Sequence, residues 1–366
     1  MGDPPISFQK KIGNRIPYIP GTKPSIQNAQ LLTSLGVPSF DAVVGGGIPV
    51  GTVILIEEDT YGTFARLLIK YFLAEGVVSG HALLCASQDI DPEHLIQELP
   101  SPIESDHSFC SGGGPEEKMT IAWRYQNLRS VQSSPGGLQL GHHFDLTRIM
   151  PPDMLKDVSI TSWNGPAEGN NNMIGIFRNP LYAELLEYVR NKINAGQFDF
   201  SAIPDKRNLL RVAIHSIGSP LWDPTSGEDL LLFFYSLRAL MRSSYAVCMV
   251  SVPSHILEDM PMLKKCIHLC DTAVKLESFS GSDKETNPVF RDYHGLFHIN
   301  KLSAINTLAC HVPDSFDLAF KLRRRKFVIE KLHLPPELQE TTQREQDEIR
   351  VSAMGCGAPQ KQLLEF

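Results

Sequence analysis

The sequence predicts an α/β fold: a central, mostly parallel sheet flanked by helices, with an antiparallel edge and a partly disordered insertion. Three observations lead there. Strand-like and helix-like segments alternate over residues 27–100, the order that builds parallel sheets. "GTVILIEE" (51–58) and "YAVCMVSV" (245–252) are near-continuous apolar runs, as strands covered on both faces are. Later, "CDTAVKLESF", "GLFHINKL" and "KFVIEKLHL" read as strands of a closing antiparallel edge.

Taken in order, residues 1–26 are rich in Pro, Gly and basic residues without a helical period and read as a flexible tail. Residues 27–336 read as one domain. After the strand at 51–58, "TFARLLIKYFLAEG" places Phe64, Leu67, Leu68, Tyr71 and Phe72 at helical spacing, with Gly76 as a stop. "HALLCAS" is the next strand. "DPEHLIQEL" is a helix capped by Asp91 with Pro92 in its first turn. Residues 101–175 break the pattern with Gly-, Ser- and Pro-rich loops around one strand-like island, "KMTIAWRYQNL" (118–128), and are read as an insertion. "PLYAELLEYVRNKINAGQF" follows as an amphipathic helix with Leu181, Leu185, Leu186 and Val189 on one stripe. "NLLRVAIHSIGSPLW" runs from strand into loop, and "EDLLLFFYSLRALMRSS" is a helix. Residues 337–366 read as a C-terminal tail, and no repeat of solenoid period is present.

The composition is ordinary for a globular chain: 366 residues, 42% hydrophobic and 20% charged. A formal charge of −7 argues against wholesale coating of nucleic acid but leaves room for a local basic groove. The seven scattered cysteines and the lack of a signal peptide lead us to expect reduced thiols in an intracellular compartment. Ile6 stands where N-myristoylation prefers Ser or Thr. No apolar run is long enough to span a bilayer.

The strand–turn–helix at residues 51–76 has the layout of a phosphate-binding loop, G-x-x-x-x-G-K-S/T. In such a loop glycine N–H groups curl around phosphate, a Lys neutralises it and a hydroxyl holds magnesium. Aligned on that pattern, Glu58 takes the first glycine position and Thr63 the second. Phe64 stands for the Lys and Ala65 for the hydroxyl residue, and only Gly62–Thr63 survives, one position out of register. Glu57, Glu58 and Asp59 would add negative charge beside phosphates, each contact costing about 1 kcal/mol in water and more in a drier site. The magnesium-holding carboxylate expected at the end of a buried strand is replaced by His215 in "LLRVAIHSIGS", followed by Ser216.

Upstream, "GVPSFDAVVGGGIPVGTVILI" resembles the segment that precedes the nucleotide loop in the RecA/KaiC/RadA family, through Gly36, Asp41, Gly45, Gly46, Gly47, Ile48, Pro49 and Gly51. The resemblance implies a RecA-like fold without a working ATP site of its own. Longer blocks, among them "AWRYQ", "LESFSGSDKETNPVFRDYHGLFHI" and "FKLRRRKFVIEKLHLPPEL", are similar to the family of fourth subunits of the Elongator complex, over roughly residues 21–336. That resemblance implies a non-catalytic subunit that alternates with subunits 5 and 6 in a six-membered ring docked on the catalytic core, subunits 1–3. The ring would bind tRNA and support carboxymethyl-type modification of the wobble uridine, in cytoplasm and nucleus. No cofactor is expected in this chain, with ATP at the ring interfaces left open. The loop residues Glu58, Gly62, Thr63, Phe64 and Ala65 are then expected at a subunit interface. A second reading, a RecA- or RadA-like ATPase or recombination accessory binding DNA, would need an intact loop or a site completed by a neighbour.

Other residues are weighed on chemistry alone. The basic run Lys321 to Lys326, with Arg323, Arg324 and Arg325, is a candidate contact for RNA phosphate or an acidic partner. Lys264 and Lys265, with His255, sit in the segment after a central strand and are candidates for the same role, weakened by Glu258 and Asp259. Arg238 and Arg242 are candidates to complete a neighbour's site. Cys266, His268 and Cys270 lack a second pair at zinc spacing, so no metal is expected. His294 and His298 show no evident carboxylate or Cys partner.

Overall fold

The computed structural model describes residues 17–25, 30–103, 140–165, 177–204, 206–222, 227–257, 260–307 and 311–333. The N-terminal part is a three-stranded meander, β1 (Thr22–Ser25), β2 (Gln30–Thr33) and β3 (Ile48–Pro49), with helix α1 (Pro38–Val43) between β2 and β3. β1 thus lies within the stretch expected as a tail. The triple glycine forms the turn into β3. Its φ angles of 99°, 95° and 121° at Gly45, Gly46 and Gly47 lie in the region side chains disfavour.

β4 (Val53–Glu57), α2 (Thr63–Val78), β5 (Ala82–Ser87) and α3 (Pro92–Gln97) follow as the alternation predicts. Asp91 caps α3, accepting the Glu93 N–H at 3.0 Å. The stretch expected as an insertion contains β6 (Pro100–Pro102), β7 (Phe144–Ile149), α4 (Pro152–Lys156) and β8 (Ile160–Trp163). β8 pairs parallel with β5, so it belongs to the main sheet. The island at 118–128 lies outside the described residues. α5 (Pro180–Ala195), β9 (Leu210–His215), α6 (Gly227–Arg242), β10 (Ala246–Val252), α7 (Met260–Leu269) and β11 (Thr272–Ser278) complete the parallel half. After the short α8 (Asp283–Thr286), β12 (Gly295–Lys301), β13 (Leu318–Arg323) and β14 (Lys326–Lys331) close the sheet antiparallel.

The nine-stranded sheet runs β14-β13-β12-β11-β4-β10-β9-β5-β8. Period-two alternation splits β4 between two cores. Ile54 and Ile56 pack under α2 with Phe72 and Val274, while Val53 and Leu55 pack against α5 and α6 with Leu185, Phe233 and Leu237. Each such fully buried side chain contributes roughly 1.5–3 kcal/mol, which is why β4 sits centrally. β14 ends the sheet without an open edge: its Phe327 and Ile329 N–H groups donate to Tyr71 Oη (3.1 Å) and Ser39 Oγ (2.9 Å).

Among the described residues one cation is wholly buried. Arg211 on β9 donates to His81 Nδ1 (3.0 Å), the Ser34 and Phe72 carbonyls (2.8 and 3.2 Å) and Thr33 Oγ1 (2.8 Å). Burial lowers the pKa of Arg211 to about 10, with Glu75 and Asp41 opposing, so it stays charged and ties the meander to the sheet. Burial, reinforced by Arg211, lowers His81 to about 3, leaving its ring neutral and able to accept.

Candidate functional site

The turn between β4 and α2 lies at the C-terminal ends of the parallel strands, where open α/β sheets place their ligands. An α-helix opens with backbone N–H groups that lack intrahelical partners and attract anions. Here Asp59 supplies the anion. Its Oδ1 accepts the N–H groups of Phe64 (3.0 Å) and Ala65 (3.1 Å), and its Oδ2 accepts that of Thr63 (3.1 Å). Gly62, at φ 63°, closes the turn by donating to the Asp59 carbonyl at 2.8 Å. The donors that would surround a phosphate are therefore engaged by the chain's own carboxylate. Sequence reasoning counted Asp59 only as a repulsive charge. Its position at the end of the strand, just before the turn into α2, was the available signal.

Glu58 turns inward. It is 6% exposed, its Oε2 lies 3.4 Å from Ser216 Oγ, and its Oε1 has no hydrogen-bond partner among the described residues. Burial raises its pKa to about 7. The Asp89 and Asp59 carboxylates add to this, while the Ser251 and Ser216 hydroxyls oppose it. Ser216 follows β9 with φ 54°, an uncommon angle for a side-chain-bearing residue, and its N–H donates to Ser251 Oγ at 2.8 Å. His215, 5% exposed, sits with Nδ1 3.3 Å from Ser87 Oγ. Burial lowers its pKa to about 4, with Asp89 opposing and Arg66 assisting, so the ring is neutral near pH 7. The structure thus joins the two sequence elements singled out, the loop and the end of β9, through Glu58 and Ser216.

Phe64, at the position of the phosphate-binding Lys, is 9% exposed. Its ring lies 4.6 Å from that of Phe320, 6.3 Å from Phe327 and 6.2 Å from His294. Ala65 is fully buried. Of the five loop residues expected to face a neighbour, Glu58, Phe64 and Ala65 are therefore turned into this chain's own core. Thr63 is exposed and Gly62 half-buried. The physical reason is that α2 packs its first turn against the β13–β14 hairpin.

That hairpin also holds the basic run. Arg323 ends β13, and Arg324 and Arg325 form the two-residue turn, with φ 48° at Arg324. Lys321 and Arg323 pair with Glu330, the latter at 3.5 Å, and Arg325 pairs with Asp145 at 3.1 Å. Arg324 alone of the three arginines has no ion pair among the described residues. Lys264 and Lys265 are exposed on helix α7, and His255 is exposed in the loop after β10. Arg238 and Arg242 both reach Asp271 of their own chain, at 3.2 and 2.7 Å. Cys266 and Cys270 are buried and His268 is exposed. Among the described residues no group of three or more His, Cys, Asp or Glu is placed to hold a metal ion, and no helix is long and apolar enough to cross a membrane. His298 does have a carboxylate partner, Glu277 at 2.9 Å on the adjacent strand. Sequence order hid it.

The order β11-β4-β10-β9-β5 within a helix-covered sheet, with the anion-binding turn after β4, defines a RecA-like α/β protein. Among solved structures, the KaiC-like protein PH0186 from Pyrococcus horikoshii OT3 matches with a TM-score of 0.45 and 16% identity, covering 82% of this chain and 98% of that one. The PAXNEB protein family matches residues 15–366. Elongator complex protein 4 of Danio rerio is 44% identical, covering 92% of this chain and 90% of the relative. The proteins of the same name from Xenopus laevis and Homo sapiens are 41% and 40% identical, covering 96% and 99% of this chain and 92% of each relative. The chain belongs to the Elongator complex protein 4 family, PAXNEB.

Proposed function

We propose that this chain is a non-catalytic, RecA-like subunit of the Elongator complex. It forms a hetero-hexameric ring with subunits 5 and 6, docks on core subunits 1–3, and supports tRNA binding and wobble-uridine modification in cytoplasm and nucleus. Family membership supports the assembly. The observation that carries the loss of chemistry is Asp59, whose carboxylate takes three N–H groups at the start of α2. A phosphate entering there would have to displace an anion already bound, Phe64 supplies no counter-charge, and His215 is not the carboxylate that holds magnesium.

ATP turnover, co-purification and nucleic-acid preference test this. ATP turnover by the isolated chain should be absent, and restoring the loop lysine should not create it. Phe64→Lys would bury an ammonium among Phe320, Phe327 and His294 and is expected to cost about 3 kcal/mol or more of stability instead. Robust turnover by the unmodified chain contradicts the reading. Co-purification at native abundance should recover two similarly sized RecA-like partners, and the assembled ring should prefer tRNA to DNA at equal salt. A lone monomer would contradict the ring, and a preference for DNA would favour a recombination accessory instead.

A further inference from the structure

We propose that the cavity over the β4–α2 turn receives an arginine side chain of a partner protein. The inference rests on the reading that this turn holds no nucleotide. The cavity, of about 640 Å³, extends from Asp59 and Thr63 to the segment linking β11 and β12. Its walls are aromatic: Tyr61, Phe279, Phe290, Tyr293 and His294 all contribute. Tyr61 is 64% exposed, which leaves a large ring at the mouth with little covering it.

The charge around the cavity selects the occupant. Among the lining residues Asp59 and Glu285 are acidic against one cation, Arg291, and the segment between β11 and β12 adds Asp283 and Asp292 nearby in sequence. Lys284 is already committed to Glu277 at 2.7 Å. Glu285 lines the cavity and uses Oε2 to accept the Gly281 N–H at 2.8 Å, and among the described residues its second oxygen has no hydrogen bond. Phosphate-bearing ligands meet this field with like charge. A planar guanidinium suits it: it stacks on aromatic faces and forks onto a carboxylate. The protein already uses these rings that way, since Lys284 Nζ lies 5.8 Å from the Phe279 ring centre and Lys321 Nζ 5.2 Å from that of Tyr293. Arg291, also on the lining, is exposed and has no ion pair among the described residues.

The test is titration of the isotope-labelled full chain with Nα-acetyl-arginine methylamide, followed through amide NMR signals of Thr63, Gly281 and Glu285. Saturable shifts are expected, with binding about tenfold weaker for the uncharged citrulline analogue of the same shape. Glu285→Gln and Tyr293→Leu should each weaken binding by about fivefold or more while the rest of the spectrum is unchanged. Equal binding of the citrulline analogue, or no saturable shift, overturns the arginine site and leaves the non-catalytic reading standing. ATP shifting the same amides overturns both.

Discussion

Two neighbouring acidic residues show how differently one charge can be used. Asp59 is stabilising because its carboxylate satisfies three helix N–H groups. Asp59→Ala should therefore cost about 1–2 kcal/mol in urea unfolding, with the loss seen first as fraying of α2. Glu58 has the opposite sign. Its pKa in the folded chain, about 7, lies above the ordinary 4.5, so the fold favours the protonated form and ionisation subtracts stability. That loss is absent below pH 4.5 and grows as pH rises to about 7. Glu58→Gln is expected to raise stability by about 1–3 kcal/mol at pH 8 and by little at pH 4.5. Melting curves at the two pH values check this, and an equal gain at both would show that ionisation is not the cause.

At the scale of elements, the contact between α2 and the strand β7 segment has its own pH signature. His142, just before β7, donates its N–H to Glu75 Oε2 (2.9 Å), with Nδ1 3.1 Å from Oε1. The hydrogen bond and charge of Glu75 raise the His142 pKa, with burial opposing. The ion pair is complete below about pH 6.5 and fades as pH rises through the raised value. The melting-temperature difference between the chain and His142→Leu should be largest near pH 6 and shrink by pH 8. The elements that the sequence displayed are those whose pattern is local: β4 as an unbroken apolar run, α2 as a stripe at helical spacing, α3 with its Asp91 cap. The elements it hid depend on distant partners. β8 is an edge strand whose pairing residue on β5 lies far back in the chain. β13 is masked because its end runs into "RRR", and a two-residue turn there is stabilised by Asp145 and Glu330. The candidate site was legible as a set of absences, no loop lysine and no metal carboxylate. What fills those absences, Asp59 on backbone N–H groups and Phe64 on the hairpin rings, is tertiary and has no sequence period.

For the whole molecule, a chain of charge −7 would need local features to meet the RNA proposed as its ligand. Arg324 is the arginine of its run without an ion pair among the described residues. In the proposed ring and on its proposed tRNA ligand, Arg324→Gln should weaken binding and reduce the salt slope by about one. Arg325→Gln should act differently, loosening β7 from the hairpin; an unchanged salt slope for Arg324→Gln removes it from the RNA surface. The occupied turn also bears on how an assembly containing this chain moves. In a nucleotide-driven ring, such turns order and relax as phosphate comes and goes. Here the ordering partner is covalently part of the loop, so this subunit is held permanently in one half of that cycle. In the proposed ring it would act as a fixed bearing, and any stroke would originate in its neighbours.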